Sequence, residues 1–271
     1  MMKLLIIESH NGGRLANQLW NFISIYAYAV EKKYFLVNPT FAEYSGLFAQ
    51  FKNNPLGSPN ANFNFLPKNS GQLLLKVIKK LNKIIPIAHS VQTGEADGAI
   101  ILPPTNPDFK PDKPVLLFNG WLFRNTTGLE KHRTEVMHKF RPAQEFQDQI
   151  DKFWQRLPED SFKIAVHIRR TDYKQHLDGR YFFEIERYLK EMAVRSKAHP
   201  DKAICFVIFS DEPREMVEFK SVDSRHQVVI SKNPAIVDLF LLSKCDEIIG
   251  PPSTFSQFAS WYGQNRLNVI E

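Results

Sequence analysis

Two cysteines in 271 residues are too few for a disulfide framework. Cys205 falls in an apolar strand pattern and Cys245 in a helical one, so both read as reduced core residues, which suits a cytoplasmic protein. No segment approaches the roughly 20 consecutive apolar residues of a membrane span. The run from Met1 to Ser9 is too short, and too soon followed by polar residues, for a signal peptide, and it reads as a strand. Metal and nucleophile chemistry lack their usual marks, since there is no Cys-x-x-Cys, His-Glu-x-x-His or Gly-x-Ser-x-Gly pattern. The Gly-x-Gly-x-x-Gly dinucleotide fingerprint and the Walker lysine loop are missing as well. Internal repeats and low-complexity tracts are equally absent.

What is present is a slightly basic, aromatic-rich chain. Thirty-five Lys and Arg against 29 Asp and Glu give a formal charge of +6, which favours anionic partners: nucleotides, lipid headgroups or nucleic acid. Hydrophobic content of 43% and charged content of 24% fit a folded globular protein, and 22 Phe residues can supply both core and ligand-stacking surface. The length admits two domains of ordinary size.

Lys3 to Ile7 reads as a buried strand. A turn from Glu8 to Gly13 follows, then a helix with Leu15, Leu19, Phe22, Ile23, Tyr26 and Val30 on one face, then a strand at Phe35 to Val37. This is a βαβ unit whose glycine turn opens a helix N-terminus suited to anions. Thr40 to Ser70 has no sustained period and reads as a long irregular surface segment over a binding cleft. Gln72 to Ile85 is helical, with Lys76, Lys79, Lys80 and Lys83 among apolar residues. Two readings stand for it: contact with an anionic membrane surface at the inner face of a membrane, or ordinary packing with solvated lysines. Strands are expected at Ala99 to Leu102 and Val115 to Phe118, and helices over Thr126 to Phe140 and Ala143 to Leu157. The Arg141-Pro142 break between those helices marks a domain boundary, giving domains 1–142 and 143–271.

The second half alternates regularly. Strands at Phe162 to Ile168, Ala203 to Phe209, Gln227 to Ile230, Asp246 to Ile249 and Leu267 to Ile270 are separated by helices near Tyr181 to Arg195, Pro213 to Phe219, Pro234 to Cys245 and Phe255 to Tyr262. That order predicts an α/β domain built on a doubly wound parallel sheet. Ligands of such sheets bind beyond the carboxyl ends of the strands, so the residues just after each strand are the informative ones. They are His167, Arg169, Arg170 and Asp172; then Asp211 and Glu212; then Ser253, Thr254 and Ser256. Guanidiniums for phosphate, carboxylates that accept from a base, and hydroxyls at a helix start are what a nucleoside diphosphate needs. Each group also has a plainer use. The arginines can pair with Asp172 on the surface, Asp211 or Glu212 can cap the helix at Pro213, and Ser253 or Thr254 can cap the one at Phe255. Strand alternation puts Ala165, His167 and Arg169 on one side and Val166, Ile168 and Arg170 on the other, which gives Arg169 the phosphate and Arg170 a supporting role.

Three stretches, Gly12-Gly13-Arg14-Leu15-Ala16-Asn17-Gln18, Val166-His167-Ile168-Arg169-Arg170-Thr171-Asp172-Tyr173 and Ser253-Thr254-Phe255-Ser256, occur in the order found in one family. The chain resembles the α-1,2-fucosyltransferases of glycosyltransferase family 11. The resemblance implies a GT-B-like architecture of two Rossmann-like domains facing a cleft, with the acceptor on the amino-terminal side and the donor on the carboxyl-terminal one. It also implies GDP-fucose as donor, a glycan acceptor, inversion at the anomeric carbon, and no metal or other cofactor. By similarity Arg169 holds the β-phosphate and His167 lies against the nucleotide. Asp211 or Glu212 reads guanine, while Ser253, Thr254 and Ser256 bind phosphate. Gly13, Arg14, Asn17 and Gln18 approach the donor from the other domain. Thr171 and Ala16 stand where that family commonly has glycine. For the general base Asp172, Asp178, Glu8 and His10 are all open, as is a reaction without a side-chain base. Two other functions remain beside this one: a transferase for a different GDP-sugar, and a non-catalytic basic module for RNA or membrane. The fucosyltransferase reading expects no nucleic acid partner.

Overall fold

The computed structural model describes residues 3–8, 13–93, 98–103, 111–212, 219 and 226–270. The chain divides into two compact units, Met1–Gln144 and Glu145–Glu271. In the first, the order is β1 (Leu4–Glu8), α1 (Leu15–Lys32), β2 (Phe35–Val37), α2 (Ala42–Ser45), α3 (Ser70–Asn82) and β3 (Ala88–Gln92). These are followed by β4 (Ile100–Ile101), β5 (Val115–Asn119), β6 (Phe123–Arg124), α4 (Thr126–Lys131) and α5 (Arg133–Lys139). Strands β2, β1, β5 and β3 form a parallel sheet in that order. Leu5, Ile6 and Ile7 are fully buried in succession, as a parallel strand covered on both faces requires. On one face Leu75 and Ile78 of α3 pack against Ile6, Val37, Val115 and Leu117.

Three features of this unit depart in detail from what the sequence suggests. The strand expected at Ala99 to Leu102 is present as the two-residue β4, which pairs with β6 in a separate two-stranded ribbon. The edge strand β3 has no counterpart in the expectations because Val91 is its one strong β-former, and alternation cannot show on so short and polar a stretch. The segment from Thr40 to Ser70 is irregular and much of it is exposed, as expected, but it is pinned to the core by buried anchors. Phe41, Phe48 and Phe51 are fully buried, and the Asn54 amide bridges the carbonyls of Ser58 (3.0 Å) and Ala61 (2.9 Å). Aromatic anchors take the place of periodicity here. The ring of Phe22 in α1 meets those of Phe41 at 5.1 Å, Phe51 at 5.2 Å and Phe140 at 4.9 Å, the last edge to face.

The second unit follows the expected alternation closely: α6 (Gln144–Trp154), β7 (Phe162–Ile168), α7 (Ile185–Ala198), β8 (Ile204–Ser210), β9 (Gln227–Ile230), α8 (Ala235–Lys244), β10 (Glu247–Gly250), α9 (Thr254–Gly263) and β11 (Arg266–Val269). All five strands are parallel, in the order β11-β10-β7-β8-β9. The helix expected at Pro213 to Phe219 and the base candidate His10 lie outside the described residues, apart from Phe219 itself. Both cysteines are buried and unpaired. No helix among the described residues is long and apolar enough to cross a membrane.

Phe22 is the hub of the aromatic cluster. Phe22→Ala is expected to cost about 3–5 kcal/mol, read in urea as a lower unfolding midpoint with an unchanged slope.

Candidate functional site

The strand order of the second unit reverses between β7 and β10. From β7 the chain winds outward through β8 and β9, then crosses back to build β10 and β11 on the other side. Sheets of this kind open a crevice at the carboxyl ends of the two strands flanking the reversal. Here β7 delivers His167, Arg169 and Arg170, and β10 delivers Gly250 and, four residues later, the start of α9. The two sides approach so closely that a Cβ on Gly250 would lie 3.1 Å from the His167 Cβ and 3.1 Å from the Ser256 Oγ. A side chain there would press His167 and Ser256 aside by a few tenths of an ångström, so glycine suits the position through close approach and not through an unusual backbone angle.

Alternation along β7 decides which side chains reach this junction. Ile164, Val166 and Ile168 face the core with Tyr188 and Met192 of α7. His167 faces the other way, stacks on Phe255 at 4.9 Å, and shares a 2.7 Å hydrogen bond with Ser256 through its Nδ1. Ser256 is fully buried, and its Oγ also lies 3.2 Å from that of Ser253. Ser253 is the N-cap of α9, its Oγ accepting from the Ser256 N–H at 3.2 Å. Of the three hydroxyl residues at this helix start, Ser253 and Ser256 are thus engaged inside the protein, and Thr254 is the partly exposed one. His167 is buried, and burial together with the neighbouring Arg169 pushes its pKa down to about 3 against the opposite pull of Asp211. Its imidazole is neutral.

Arg169 leaves the strand and is gripped by Asp172. Its Nε donates to Oδ1 at 3.0 Å and its Nη2 to Oδ2 at 2.6 Å, and its guanidinium lies 4.8 Å from the Tyr173 ring centre. Asp172 therefore pairs with Arg169, where the sequence left Arg170 as an alternative. The pair is not a loose surface contact, since the Arg169 side chain is only 18% exposed. Arg170 turns to the opposite side, over Phe182 at 4.9 Å, with Glu184 at 3.4 Å and Glu212 at 3.3 Å. The Glu212 contact is an ion pair without hydrogen-bond alignment. Asp211 accepts from the Arg170 backbone N–H at 3.0 Å and, in a short contact, from the Thr171 hydroxyl. Asp211 and Glu212 thus both fasten the loop after β7.

Asp238, to which the sequence reading gave no role of its own, is a buried carboxyl in the first turn of α8. Ser231, just past β9, donates its hydroxyl to it at 2.5 Å. Burial raises its pKa from 3.8 to about 7, opposed by hydrogen bonds from Ser231 and Asn233. The available signal was an acid early in a helix whose other residues are almost all apolar.

In the first unit, the Gly13 to Gln18 motif forms the start of α1, beyond the carboxyl end of β1. Gly13 has φ +74°, Arg14 is the exposed N-cap, and the Gln18 amide donates back to the Gly13 carbonyl at 3.2 Å. A Cβ on Gly13 would also meet the Asn17 side chain. Among the base candidates, Glu8 is buried with its carboxylate 2.5 Å from the Lys79 ammonium, and Asp178 is exposed on a 3₁₀ turn. Among the described residues no group of three or more His, Cys, Asp or Glu is arranged to hold a metal ion.

The sequence model of glycosyl transferase family 11 matches residues 132–269, just over half of the chain and nearly all of the second unit. No curated protein matches. Among solved structures, a mutant of Arabidopsis thaliana FUT1 in complex with GDP superposes with a TM-score of 0.65 at 13% identity, covering 98% of this chain and 70% of that one. NodZ α-1,6-fucosyltransferase soaked with GDP-fucose gives 0.57 at 15% identity, covering 96% and 92%. POFUT1 in complex with GDP gives 0.54 at 13% identity, covering 100% and 99%. At these identities the likeness is one of fold, and it bears out the α/β, GT-B-like class expected from the sequence.

The Asp238 environment sets a pH dependence. With its pKa near 3.8 when exposed and about 7 in the fold, the folded chain holds an extra proton between those values. Stability from this group is complete below the lower value and is lost as pH rises through the upper one. Relative to wild type, Asp238→Asn is expected to gain stability on the order of 3–4 kcal/mol at most between pH 4 and pH 8. Urea unfolding of both proteins across that range measures it; a constant difference between them would mean that Asp238 is ionised in the fold.

Proposed function

The chain belongs to glycosyl transferase family 11, and within that family we propose that it moves fucose from GDP-fucose to a sugar hydroxyl of a glycan, forming an α-1,2 linkage with inversion. The observation that carries this reading is the Arg169 guanidinium, held rigidly by Asp172 and Tyr173 at the reversal point of the second unit's sheet. GDP and GDP-fucose in the FUT1, POFUT1 and NodZ structures support the choice of donor. The α-1,2 linkage and inversion rest on the ordered motifs Gly12 to Gln18, Val166 to Tyr173 and Ser253 to Ser256. The second unit binds the donor, and the first contributes to acceptor recognition.

In this mechanism the acceptor oxygen bonds to the anomeric carbon as the bond from that carbon to the β-phosphate oxygen breaks, and GDP leaves with the electron pair. Negative charge grows on the β-phosphate, so a guanidinium already fixed in place stabilises the transition state more than the ground state. The N-terminus of α9, with Thr254 at its first position, adds its dipole to the same task. Asp172 acts through Arg169 as a positioning residue, and Arg170 with Glu212 and Asp211 holds the loop that carries both. In this reading Asp211 and Glu212 serve the loop and not the base. Neutral His167 adds no charge, and with Ser256 it keeps α9 seated against the end of β7. The acceptor's proton passes to solvent after the new bond has formed, which suits a dissociative transition state and needs no strong side-chain base.

Thermal unfolding with GDP, GDP-fucose, GDP-mannose and UDP tests the donor. Saturation at 100 times Kd adds about 2.7 kcal/mol of stability, so GDP and GDP-fucose are expected to raise the midpoint well above UDP. Equal stabilisation by UDP would sink the reading, and turnover with GDP-mannose but not GDP-fucose would change the sugar. Arg169→Ala is expected to lower turnover about a hundredfold with an unchanged unfolding midpoint. Asp172→Asn should lower turnover less and leave the shape of the pH–rate profile as it is; loss of one limb of that profile would make Asp172 the general base instead.

A further inference from the structure

We infer that α3 is a docking surface for an anionic lipid bilayer. The helix buries one stripe, with Leu75 and Ile78 against its own sheet and Gly71 against Pro39 and Pro55. On another side it exposes a second apolar stripe: Leu73 at 62%, Val77 at 44% and Leu81 at 42%, one helical turn apart. The stripe continues past the helix end, where the N–H groups of Ile84 and Ile85 both donate to the Leu81 carbonyl and the two side chains stand 74% and 60% exposed. Of the nine exposed large hydrophobics among the described residues, five lie between Leu73 and Ile85. Isolated exposed apolar residues are ordinary, but a contiguous row marks an interaction surface.

Lysines run beside this row. Lys76, Lys80 and Lys83 recur at helical spacing on the flank of the exposed stripe, and none forms an ion pair among the described residues. Lys79 is different, reaching back to Glu8. From Tyr44 to Gly94 the sequence contains six Lys and no Asp, Glu or Arg, so this one stretch holds the entire formal excess of +6 and the rest of the chain is balanced.

The chemistry of the row selects its partner. Protein interfaces favour aromatic residues and Arg and are depleted in Lys. The row from Leu73 to Ile85 is aliphatic, with Lys as its sole cation. A second copy would set two lysine rows against each other. Aliphatic side chains entering the acyl boundary while flexible ammonium groups reach phosphate headgroups match a bilayer interface.

The test uses the full chain and sedimentation with vesicles of phosphatidylcholine, with or without phosphatidylglycerol. Binding is expected only to the vesicles containing phosphatidylglycerol, and added salt should weaken it. Neutralising Lys76, Lys80 and Lys83 to Gln together should weaken it about a hundredfold, at about fivefold per lysine. The triple change Leu73→Ser, Leu81→Ser and Ile84→Ser should also release the protein. Both variants should keep the wild-type unfolding midpoint and transferase activity on a soluble acceptor. Failure of the wild type to bind at low salt would overturn the inference, as would binding that survives both triple variants. A dimer in sedimentation velocity that dissociates on Leu73→Ser would give the stripe to a second copy instead.

Discussion

The end of β7 is held by a hydrogen bond between a buried histidine and a buried serine, and the rest of the second unit's edge is arranged from that junction. His167 and Ser256 meet at 2.7 Å beside Gly250, where a side chain would crowd both. Their contact seats α9 against the strand, Ser253 caps the helix, and the loop after Ile168 emerges with a fixed direction. A charged imidazole there would be buried beside the Arg169 guanidinium, so burial and that neighbour together keep His167 neutral. Any residue that changed the height of this floor would displace the arginine above it, which makes the junction a condition for the site although it need never touch a ligand.

Above the floor the two adjacent arginines are divided by strand alternation. Arg169 is matched bidentately by Asp172 and faced by Tyr173, while Arg170 is drawn to Phe182, Glu184 and Glu212 on the other side. Arg170 is a strut: its partners anchor the loop to the start of α7. Arg169 keeps a fixed orientation without being neutralised on all its faces, because a carboxylate engages only one edge of a guanidinium fork. Pre-orientation of this kind reduces the ordering cost when an anion arrives.

The sheet of the second unit was legible in the sequence because its strands are short apolar runs cut off abruptly by charge. Phe162–Ile168 and Gln227–Ile230 match their expected limits residue for residue. The first unit was harder to read. Its edge strand Ala88–Gln92 alternates too weakly to register, and Phe41, Phe48 and Phe51 anchor an irregular segment by ring contacts that no periodicity announces. Within the site, the grouping of His167, the arginines and the α9 start could be inferred from topology, since strand order alone brings those ends together. Partner choice could not. Asp172 meets Arg169 because of the turn that follows the strand, and Ser256 meets His167 because of a glycine on a different strand. Asp238 was given no role because a carboxyl that burial protonates reads, in sequence, like any solvated acid on a helix.

The uneven spread of charge changes how an anion is met. The second unit carries eighteen basic and twenty acidic residues, so it has no net attraction for a nucleotide, while the first carries seventeen and nine. The overall positive balance is therefore not the property that would draw a diphosphate to the β7 edge. At physiological ionic strength charges are screened over about 8 Å, so within the second unit the groups that count at that edge are the few beside it, Arg169 and the end of α9 among them. Recognition at such an edge would be near-sighted. It would distinguish anions by the fit of a few oriented donors and not by how much charge they carry, and a unit so nearly neutral would offer polyanions no long-range advantage over one small, well-shaped phosphate ester.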